Sequence, residues 1–220
     1  DEIKHDLVRE AMETTGISGG VEITTLADVP SEGSGLGSSS SVTVGLLNAL
    51  YAFRGDVQPA ERLAQQASEI EIERCGKPVG KQDQYIAAYG GLRCFDFKKD
   101  GTVDAERLPL DSDQKRHLSD NLMLIYTART RSADGILAEQ RGLMTEKHEH
   151  VANIKQLAVE TRNTLSAGDL DGLGKILDRG WQWKRGMSSR VSDDEIDAIY
   201  HRARDAGAIG GKLCGAGAGG

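Results

Sequence analysis

A glycine- and serine-rich segment between two apolar stretches constrains this chain more than any other feature. Residues 30–41 read Pro-Ser-Glu-Gly-Ser-Gly-Leu-Gly-Ser-Ser-Ser-Ser, and a largely apolar run over residues 42–51 follows at once. Glycine admits positive φ angles and lets a ligand approach the backbone, and serine often begins a helix. The first N–H groups of a helix lie at the positive end of its dipole. The segment therefore predicts an anion site, with phosphate as its usual occupant.

Other interpretations of this segment agree less well with the sequence. A flexible linker is disfavoured because a strand-like run precedes the segment and an apolar helix follows it. The P-loop pattern G-x-x-x-x-G-K-[ST] does not occur in the chain. The dinucleotide fingerprint G-x-G-x-x-G fails because Ser38 stands where a third glycine is needed after Gly33 and Gly35. The pattern that remains is G-L-G-S-S at residues 35–39.

Two carboxylates follow the segment at positions that suit metal and substrate chemistry. Helical periodicity after Pro59 places Glu71 on the face that carries the apolar residues. Glu69 and Glu73 fall on the opposite face, which we expect to be solvated. A carboxylate on an apolar face is costly unless it is paired or bound to a metal, so Glu71 needs a partner. Asp83 lies in the first turn of the next short helix, where the helix dipole is expected to keep its pKa low.

These parts together suit phosphoryl transfer from ATP. The reaction needs a cradle for the phosphates, Mg²⁺ to neutralise charge, and a carboxylate that orients the attacking hydroxyl. Mg²⁺ takes one or two oxygen ligands from the protein and the rest from water and phosphate. The cradle would be residues 33–40, with a serine hydroxyl also reaching the metal, and Glu71 and Asp83 would supply the carboxylates.

The order of predicted elements indicates an α+β fold in two lobes. Alternating residues 21–25 predict a strand, residues 92–108 predict a hairpin across Asp100-Gly101, and the apolar run 122–126 is typical of a buried strand. Residues 208–213 predict a further short strand. Helical periodicity covers residues 3–15, 40–54, 59–75 and 81–89, and four more helices follow residue 133, the last opened by a capping box from Ser192 to Glu195. The polar residues 111–115 are the candidate boundary between the lobes.

Composition excludes some partners. The formal net charge of -7 argues against nucleic acid as the main partner, because binding a phosphate backbone needs a basic face. No run approaches the roughly 18 apolar residues of a membrane span. Three scattered cysteines without C-x-x-C spacing favour reduced thiols and a cytoplasmic protein. Nothing in the sequence indicates an oligomeric state.

The G-L-G-S-S segment resembles the central motif of the GHMP kinases, the superfamily of galactokinase, homoserine kinase, mevalonate kinase and phosphomevalonate kinase. In the galactokinase branch a Mg²⁺ glutamate precedes the catalytic aspartate by twelve positions, and Glu71 precedes Asp83 by the same interval. Gly76, Gly80 and Gln84 also fall in register with that pattern. The late glycine-rich stretch 212–220 resembles the third motif of the family, so the resemblance runs through the whole chain.

The resemblance implies the two-lobed fold of GHMP kinases, with a ribosomal-protein-S5-like N-terminal lobe and a ferredoxin-like α/β C-terminal lobe. It implies ATP and Mg²⁺ as cofactors, Asp83 as the catalytic residue, and Ser39 and Glu71 as metal ligands. The residues it implies for nucleotide binding are Gly33, Gly35, Leu36, Gly37, Ser38, Ser39, Ser40, Gly215, Ala216 and Gly217. The ATP-binding domain would span residues 1–115 and the C-terminal domain residues 116–220. The family's first motif and its last strand have no counterpart here, so both domains are expected to be incomplete.

The resemblance also implies a small sugar or sugar-phosphate substrate. Residues 80–85, 126–133 and 181–185 resemble the branch that phosphorylates the anomeric hydroxyl of D-glycero-D-manno-heptose 7-phosphate. Arginines suit bidentate binding of a substrate phosphate, or they belong to a solvated loop. Fucose-kinase-like and other GHMP kinases share much of this pattern, and a nucleotide-binding fragment without turnover is the alternative of another class. The candidate substrate contacts are Lys81, Arg129, Arg131 and Lys184.

Overall fold

Two units make up the chain, which divides after Gly91 into residues 1–91 and 92–220. The computed structural model describes residues 3–28, 35–129 and 133–219. Leu92 and Leu108 pack with leucines of the second unit, and this packing assigns the segment between them to that unit. The domain boundary predicted between residues 115 and 116 lies farther along the chain and stays a prediction.

The first unit consists of helices around a core of aliphatic side chains. Ala11, Leu47 and Ile70 come from three different helices and are each 0% exposed in this core. Fully burying a side chain of the size of Leu47 or Ile70 stabilises a fold by about 1.5–3 kcal/mol. The helices are α1 (Asp6–Thr15), α2 (Ser38–Phe53), α3 (Ala60–Ser68), a π-helix (Glu69–Arg74) and α4 (Gln82–Tyr89).

Left-handed glycines mark two helix ends in this unit. Gly16 ends α1 at φ 69°, and its N–H donates to the carbonyl of Glu13. Gly37 precedes α2 at φ 71°, a backbone conformation that residues other than glycine seldom adopt. The predicted helices over residues 3–15 and 40–54 are therefore confirmed, although α1 starts three residues later, and α2 starts two residues earlier and ends one residue earlier.

The strand predicted over residues 21–25 is wrong. This segment has no regular secondary structure, although Val21 and Ile23 are half-buried and pack against the core of the first unit. The alternation of apolar residues therefore predicted the buried side of the segment correctly. A strand also needs a neighbour for its N–H and C=O groups, and none of the described segments pairs with this one.

A hairpin begins the second unit, as the sequence predicts. Strands β1 (Arg93–Phe97) and β2 (Val103–Arg107) pair antiparallel, with Phe95 opposite Ala105. At the turn, Asp100 accepts hydrogen bonds from the backbone N–H and the hydroxyl of Thr102. Among the described residues this is the only sheet, so its antiparallel pairing and the surrounding helices agree with the predicted α+β class.

Helices form the rest of the second unit. Each of the four predicted after residue 133 is present, and α7 is the longest at 19 residues. No helix in the described ranges has the length and apolar character to cross a membrane. The helices are α5 (Ser112–Asp120), α6 (Asp134–Leu143), α7 (His148–Ser166), α8 (Leu170–Arg185) and α9 (Asp194–Asp205).

Two helix starts differ from the sequence interpretation. The polar residues 111–115 begin α5, because Asp111 and Gln114 form a capping box there. Helix α9 is capped by Asp193, whose side chain accepts from the N–H of Ile196. The hydroxyl of Ser192, the expected cap, instead donates to Asp197.

The two further strands predicted in the second unit, after the hairpin, are wrong. The run 122–126 has no regular secondary structure, and Met123 is 84% exposed. Residues 208–213 contain no strand either. Both runs have the apolar composition of strands, but strand formation depends on pairing, and neither pairs with another described segment.

Candidate active site

The glycine segment leads directly into the first turn of α2. Gly35 and Gly37 both have left-handed backbones, at φ 70° and 71°, and Gly37 is the residue before the helix. Gly37, in the N-cap position, has no side chain to cap this N-terminus, whose first residues are Ser38, Ser39 and Ser40. The arrangement agrees with the predicted anion site, because helix N-termini favour negative charge. Gly33 lies outside the described residues.

Ser39 and Glu71 are joined by a hydrogen bond. The Ser39 hydroxyl donates to Glu71 Oε2 over 2.7 Å, and Glu71 is only 1% exposed. Glu69 lies on the other side of the helix, where it pairs with Arg74 at 2.8 Å and keeps a side-chain exposure of 46%. The prediction of an inward Glu71 and a solvated Glu69 is therefore confirmed.

A change of helix type precedes the loop that follows Glu71. Helix α3 continues as a π-helix, in which the N–H of Cys75 donates to the carbonyl of Ile70. Gly76 then adopts φ 65°, and the N–H of Lys77 donates to the carbonyl of Glu71 over 2.9 Å. Single-turn π-helices occur frequently at functional sites. The turn after this π-helix brings the backbone of Lys77 back to the buried Glu71.

Lys77 is the residue that sequence analysis missed. Its Nζ donates to the Ser39 hydroxyl over 2.8 Å and lies 3.9 Å from Glu71 Oε2. A buried carboxylate needs compensating charge, and Lys77 supplies it. The available signal was a lysine directly after the glycine that ends the helix of Glu71.

Asp83 lies in the first turn of α4, against the backbone of Gly37. A Cβ placed on Gly37 would be 3.4 Å from both Asp83 Cγ and Oδ2. Asp83 is reached by solvent, but enough protein surrounds its carboxyl group to raise its pKa, and the charge of Glu71 raises that pKa further. The expected low pKa is therefore wrong, because partial desolvation and a neighbouring carboxylate outweigh the helix dipole.

Gln84 anchors the start of α4 to the first turn of α2. Its side chain is completely buried. In the amide orientation that satisfies its neighbours, it donates to the carbonyls of Gly80 and Lys81 and accepts from the Ser40 hydroxyl at 3.3 Å. These hydrogen bonds fix the position of Gln84 and thereby hold the neighbouring Asp83 next to Gly37.

Ser39 and Glu71 fit a Mg²⁺ site of the kind that phosphate-transferring enzymes use. They offer a hydroxyl and a carboxylate oxygen, and such sites take few protein ligands. In the described ranges no three His, Cys, Asp or Glu side chains gather into a self-sufficient metal cage. A metal here would therefore need water and phosphate to complete its coordination.

The late glycine loop, residues 215–217, is held by side chains of the second unit that donate to its backbone carbonyls. Lys184 Nζ donates to the carbonyls of Leu213 and Gly215, and Gln140 donates to the carbonyl of Ala216 at 2.9 Å. Gly217 has φ 117°, and a Cβ there would lie 2.7 Å from the carbonyl oxygen of Val191. Lys184, a candidate substrate contact, thus lies on α8 and contacts the predicted nucleotide loop.

The structure describes two of the other three candidate substrate contacts, Arg129 and Lys81. Arg129 pairs with Asp193 at 2.8 Å and with Glu195 at 3.2 Å, at the start of α9. The pKa of Asp193 is held below its usual range, mainly by the hydrogen bond from the Ile196 N–H and secondly by the hydrogen bond and charge of Arg129. Lys81 is exposed before α4, and Arg131 lies outside the described residues.

Sequence comparison finds one family at both ends of the chain. The GHMP kinases N terminal domain matches residues 3–91, and the GHMP kinases C terminal domain matches residues 144–220. A D-glycero-alpha-D-manno-heptose 7-phosphate kinase of Campylobacter jejuni is 36% identical over 198 residues, which are 89% of this chain and 58% of the relative. A galactokinase of Pyrococcus furiosus is 29% identical over 240 residues, 97% of this chain and 65% of the relative. The chain thus spans about three-fifths of the length of these relatives.

Solved structures with the same fold include sugar kinases. A D-glycero-D-manno-heptose 1-phosphate kinase from Bacteriodes thetaiotaomicron superposes with a TM-score of 0.71 and 29% identity, over 99% of this chain and 64% of that one. The mevalonate kinase of L. major has a TM-score of 0.66 at 19% identity, over 98% and 65%, which shows the fold alone. Because both domain patterns of one family match and its structures share the fold, this chain belongs to the GHMP kinases.

Proposed function

We propose that the protein transfers the γ-phosphoryl group of ATP to a hydroxyl of a sugar or sugar phosphate. The observation that carries this proposal is the hydrogen bond from Ser39 to the buried Glu71, at the N-terminus of α2. Binding a divalent cation gives a reason to keep a carboxylate and a hydroxyl together next to an anion site. The sugar kinases among the relatives support the same class of reaction.

The residues of the first unit have distinct roles in this proposal. The first turn of α2 binds the phosphates through its N–H groups and dipole. Ser39 and Glu71 would hold Mg²⁺, which when bound neutralises charge on the phosphates. Asp83 orients the acceptor hydroxyl and accepts its proton. Its raised pKa makes its carboxylate a better proton acceptor than an ordinary aspartate.

The proposed acceptor is the anomeric hydroxyl of D-glycero-D-manno-heptose 7-phosphate. The Campylobacter jejuni relative, named for that sugar phosphate, supports this choice at 36% identity. Arg129 and Arg131 would bind the substrate phosphate, and Lys81 would contact the sugar from the start of α4. Lys184 would act from α8, where its ammonium also donates to the glycine loop. The cytoplasm is the proposed location, in agreement with three free cysteines.

A panel of acceptors tests this proposal. The purified protein would receive Mg²⁺, ATP and one of D-glycero-D-manno-heptose 7-phosphate, the unphosphorylated heptose, L-fucose or galactose. ADP release gives kcat/KM for each, and ³¹P NMR identifies the phosphorylated hydroxyl. We expect the highest kcat/KM with the heptose 7-phosphate and a new anomeric phosphate. ATP binding without ADP release in the presence of any acceptor would instead indicate a nucleotide-binding protein without turnover.

A further inference from the structure

Lys77 lies beside Ser39 and Glu71, the pair of residues that the proposed function assigns to a divalent cation. Its ammonium donates to the Ser39 hydroxyl over 2.8 Å and lies 3.9 Å from Glu71 Oε2. The same Glu71 oxygen accepts from Ser39 over 2.7 Å. A lysine ammonium therefore lies beside the two oxygens that would bind Mg²⁺.

The backbone around Lys77 brings the ammonium to this position. Gly76, at φ 65°, turns the chain after the π-helix, and the N–H of Lys77 then bonds to the carbonyl of Glu71. The main chain of Lys77 is thus tied to the same residue that its side chain neutralises. An α-helical end would not produce this link, because the bond from Lys77 to Glu71 spans one residue more than the usual closing turn.

The side chain of Lys77 can move away from Ser39 and Glu71 into solvent. Glu71 is 1% exposed and fixed in the core, whereas the Lys77 side chain is 28% exposed and therefore has a path to solvent. Lysine is a point charge on a flexible stem, and its hydration outside the protein is strong. Glu71, by contrast, requires a positive partner at all times, since an uncompensated buried carboxylate is strongly destabilising.

We propose that Lys77 is a displaceable counter-ion that occupies the Ser39–Glu71 pair in the metal-free protein and competes with the divalent cation for it. This inference rests on the proposed function for the identity of the metal site. An ammonium and a divalent cation repel each other at this distance and need the same oxygen lone pairs, so only one of them binds. Lys77 thereby balances the charge of Glu71 and orients Ser39, and in the absence of nucleotide it weakens the binding of metal to this pair.

Manganese binding in the absence of nucleotide tests the competition. Mn²⁺ takes the same oxygen ligands as Mg²⁺, and its free ion is counted by electron paramagnetic resonance. Lys77→Met removes the competing charge, and we expect it to bind Mn²⁺ roughly tenfold more tightly, or more, the scale of one charge-assisted hydrogen bond. Lys4→Met makes the same chemical change at an exposed position of the first unit and should leave the affinity unchanged. Glu71→Gln should abolish the gain when combined with Lys77→Met.

A purely structural lysine would give the opposite sign. Loss of a structural ion pair disorders the oxygens and weakens Mn²⁺ binding, so an unchanged or weaker affinity in Lys77→Met overturns the proposal. Lys77→Gln keeps a donor near Ser39 without the charge and should also bind Mn²⁺ more tightly than the original protein. If both variants unfold without metal, recovery of the fold by Mn²⁺ supports the proposal, and failure to recover overturns it.

The measurement is independent of turnover. If Lys77→Met binds Mn²⁺ more tightly but the original protein phosphorylates no acceptor, the proposed function is contradicted and the counter-ion exchange is supported. If the original protein phosphorylates an acceptor but binds Mn²⁺ with the same affinity as Lys77→Met, only the exchange is contradicted.

Discussion

The Ser39 hydroxyl donates a 2.7 Å hydrogen bond to Glu71, which joins the first turn of α2 to the π-helix 32 residues later in the chain. This contact unites the glycine segment with a carboxylate that is 1% exposed. The two residues therefore act as one unit, and substitutions of either should have related effects.

Ser39→Ala and Glu71→Gln should each raise the Mg²⁺ concentration needed for half-maximal phosphorylation. Each change removes one proposed oxygen ligand, and we expect an increase of roughly tenfold, the effect of losing one hydrogen bond to a charged group. The measurement is a Mg²⁺ titration of the initial rate at saturating ATP. Glu69→Gln is the matched control, because Glu69 pairs with Arg74 at the surface. A larger effect at Glu69 than at Glu71 would contradict the assignment.

Gly37→Ala should reduce both stability and kcat. Gly37 has φ 71°, so alanine there costs about 1–2 kcal/mol of backbone strain. The new methyl group would also contact the Asp83 carboxyl group at 3.4 Å and shift the proposed catalytic residue. Urea unfolding and steady-state kinetics measure the two effects. Gly45→Ala is the control, since Gly45 is inside α2 and no described atom beyond the neighbouring helix backbone lies within 4 Å of the added Cβ. It should be neutral or stabilising by up to about 1 kcal/mol.

The sequence was sufficient for features that depend on local periodicity and turn chemistry. Helical spacing placed Glu71 inward, and Asp100-Gly101 predicted the hairpin. Strand 122–126 was predicted from composition alone, but a strand exists only with a pairing partner, which periodicity does not reveal. Helix α5 was missed because none of its residues is buried, so it has no apolar stripe to detect.

The site was predicted in its residue types and missed in its electrostatics. Helical periodicity predicted an inward Glu71, and the twelve-residue spacing of the family pattern then indicated Asp83. The raised pKa of Asp83 and the ammonium of Lys77 beside Ser39 depend on how distant segments pack, and no local pattern encodes them. The electrostatics of the site therefore depend on contacts between segments that are distant in the chain.

Arg129→Ala should raise KM for a phosphorylated sugar and leave KM for ATP nearly unchanged. The Arg129 side chain is 35% exposed and held by Asp193 and Glu195, so its loss should cost the fold no more than about 1 kcal/mol. Kinetics with D-glycero-D-manno-heptose 7-phosphate and with the unphosphorylated heptose separate the two roles. A change confined to KM for ATP would place Arg129 on the nucleotide.

Asp83→Asn should stabilise the protein at neutral pH. The folded-state pKa of Asp83 is raised, so the folded protein holds its proton more tightly than the unfolded chain does. The ionised group therefore destabilises the fold at neutral pH, and the penalty disappears as the pH falls through the folded-state pKa and below the unfolded value. The Tm difference between Asp83→Asn and the original protein should be positive at pH 7 and shrink toward pH 4. A negative difference at pH 7 would contradict the raised pKa.

The most direct test of the central claim is kcat for Asp83→Asn with the best acceptor. Asparagine keeps the shape of the side chain against Gly37 but removes the charge that accepts the proton. Loss of a general base typically lowers kcat by about 10²–10⁴-fold, and ATP binding, measured by calorimetry, should survive. A folded Asp83→Asn protein with near-normal kcat would contradict the catalytic role of Asp83.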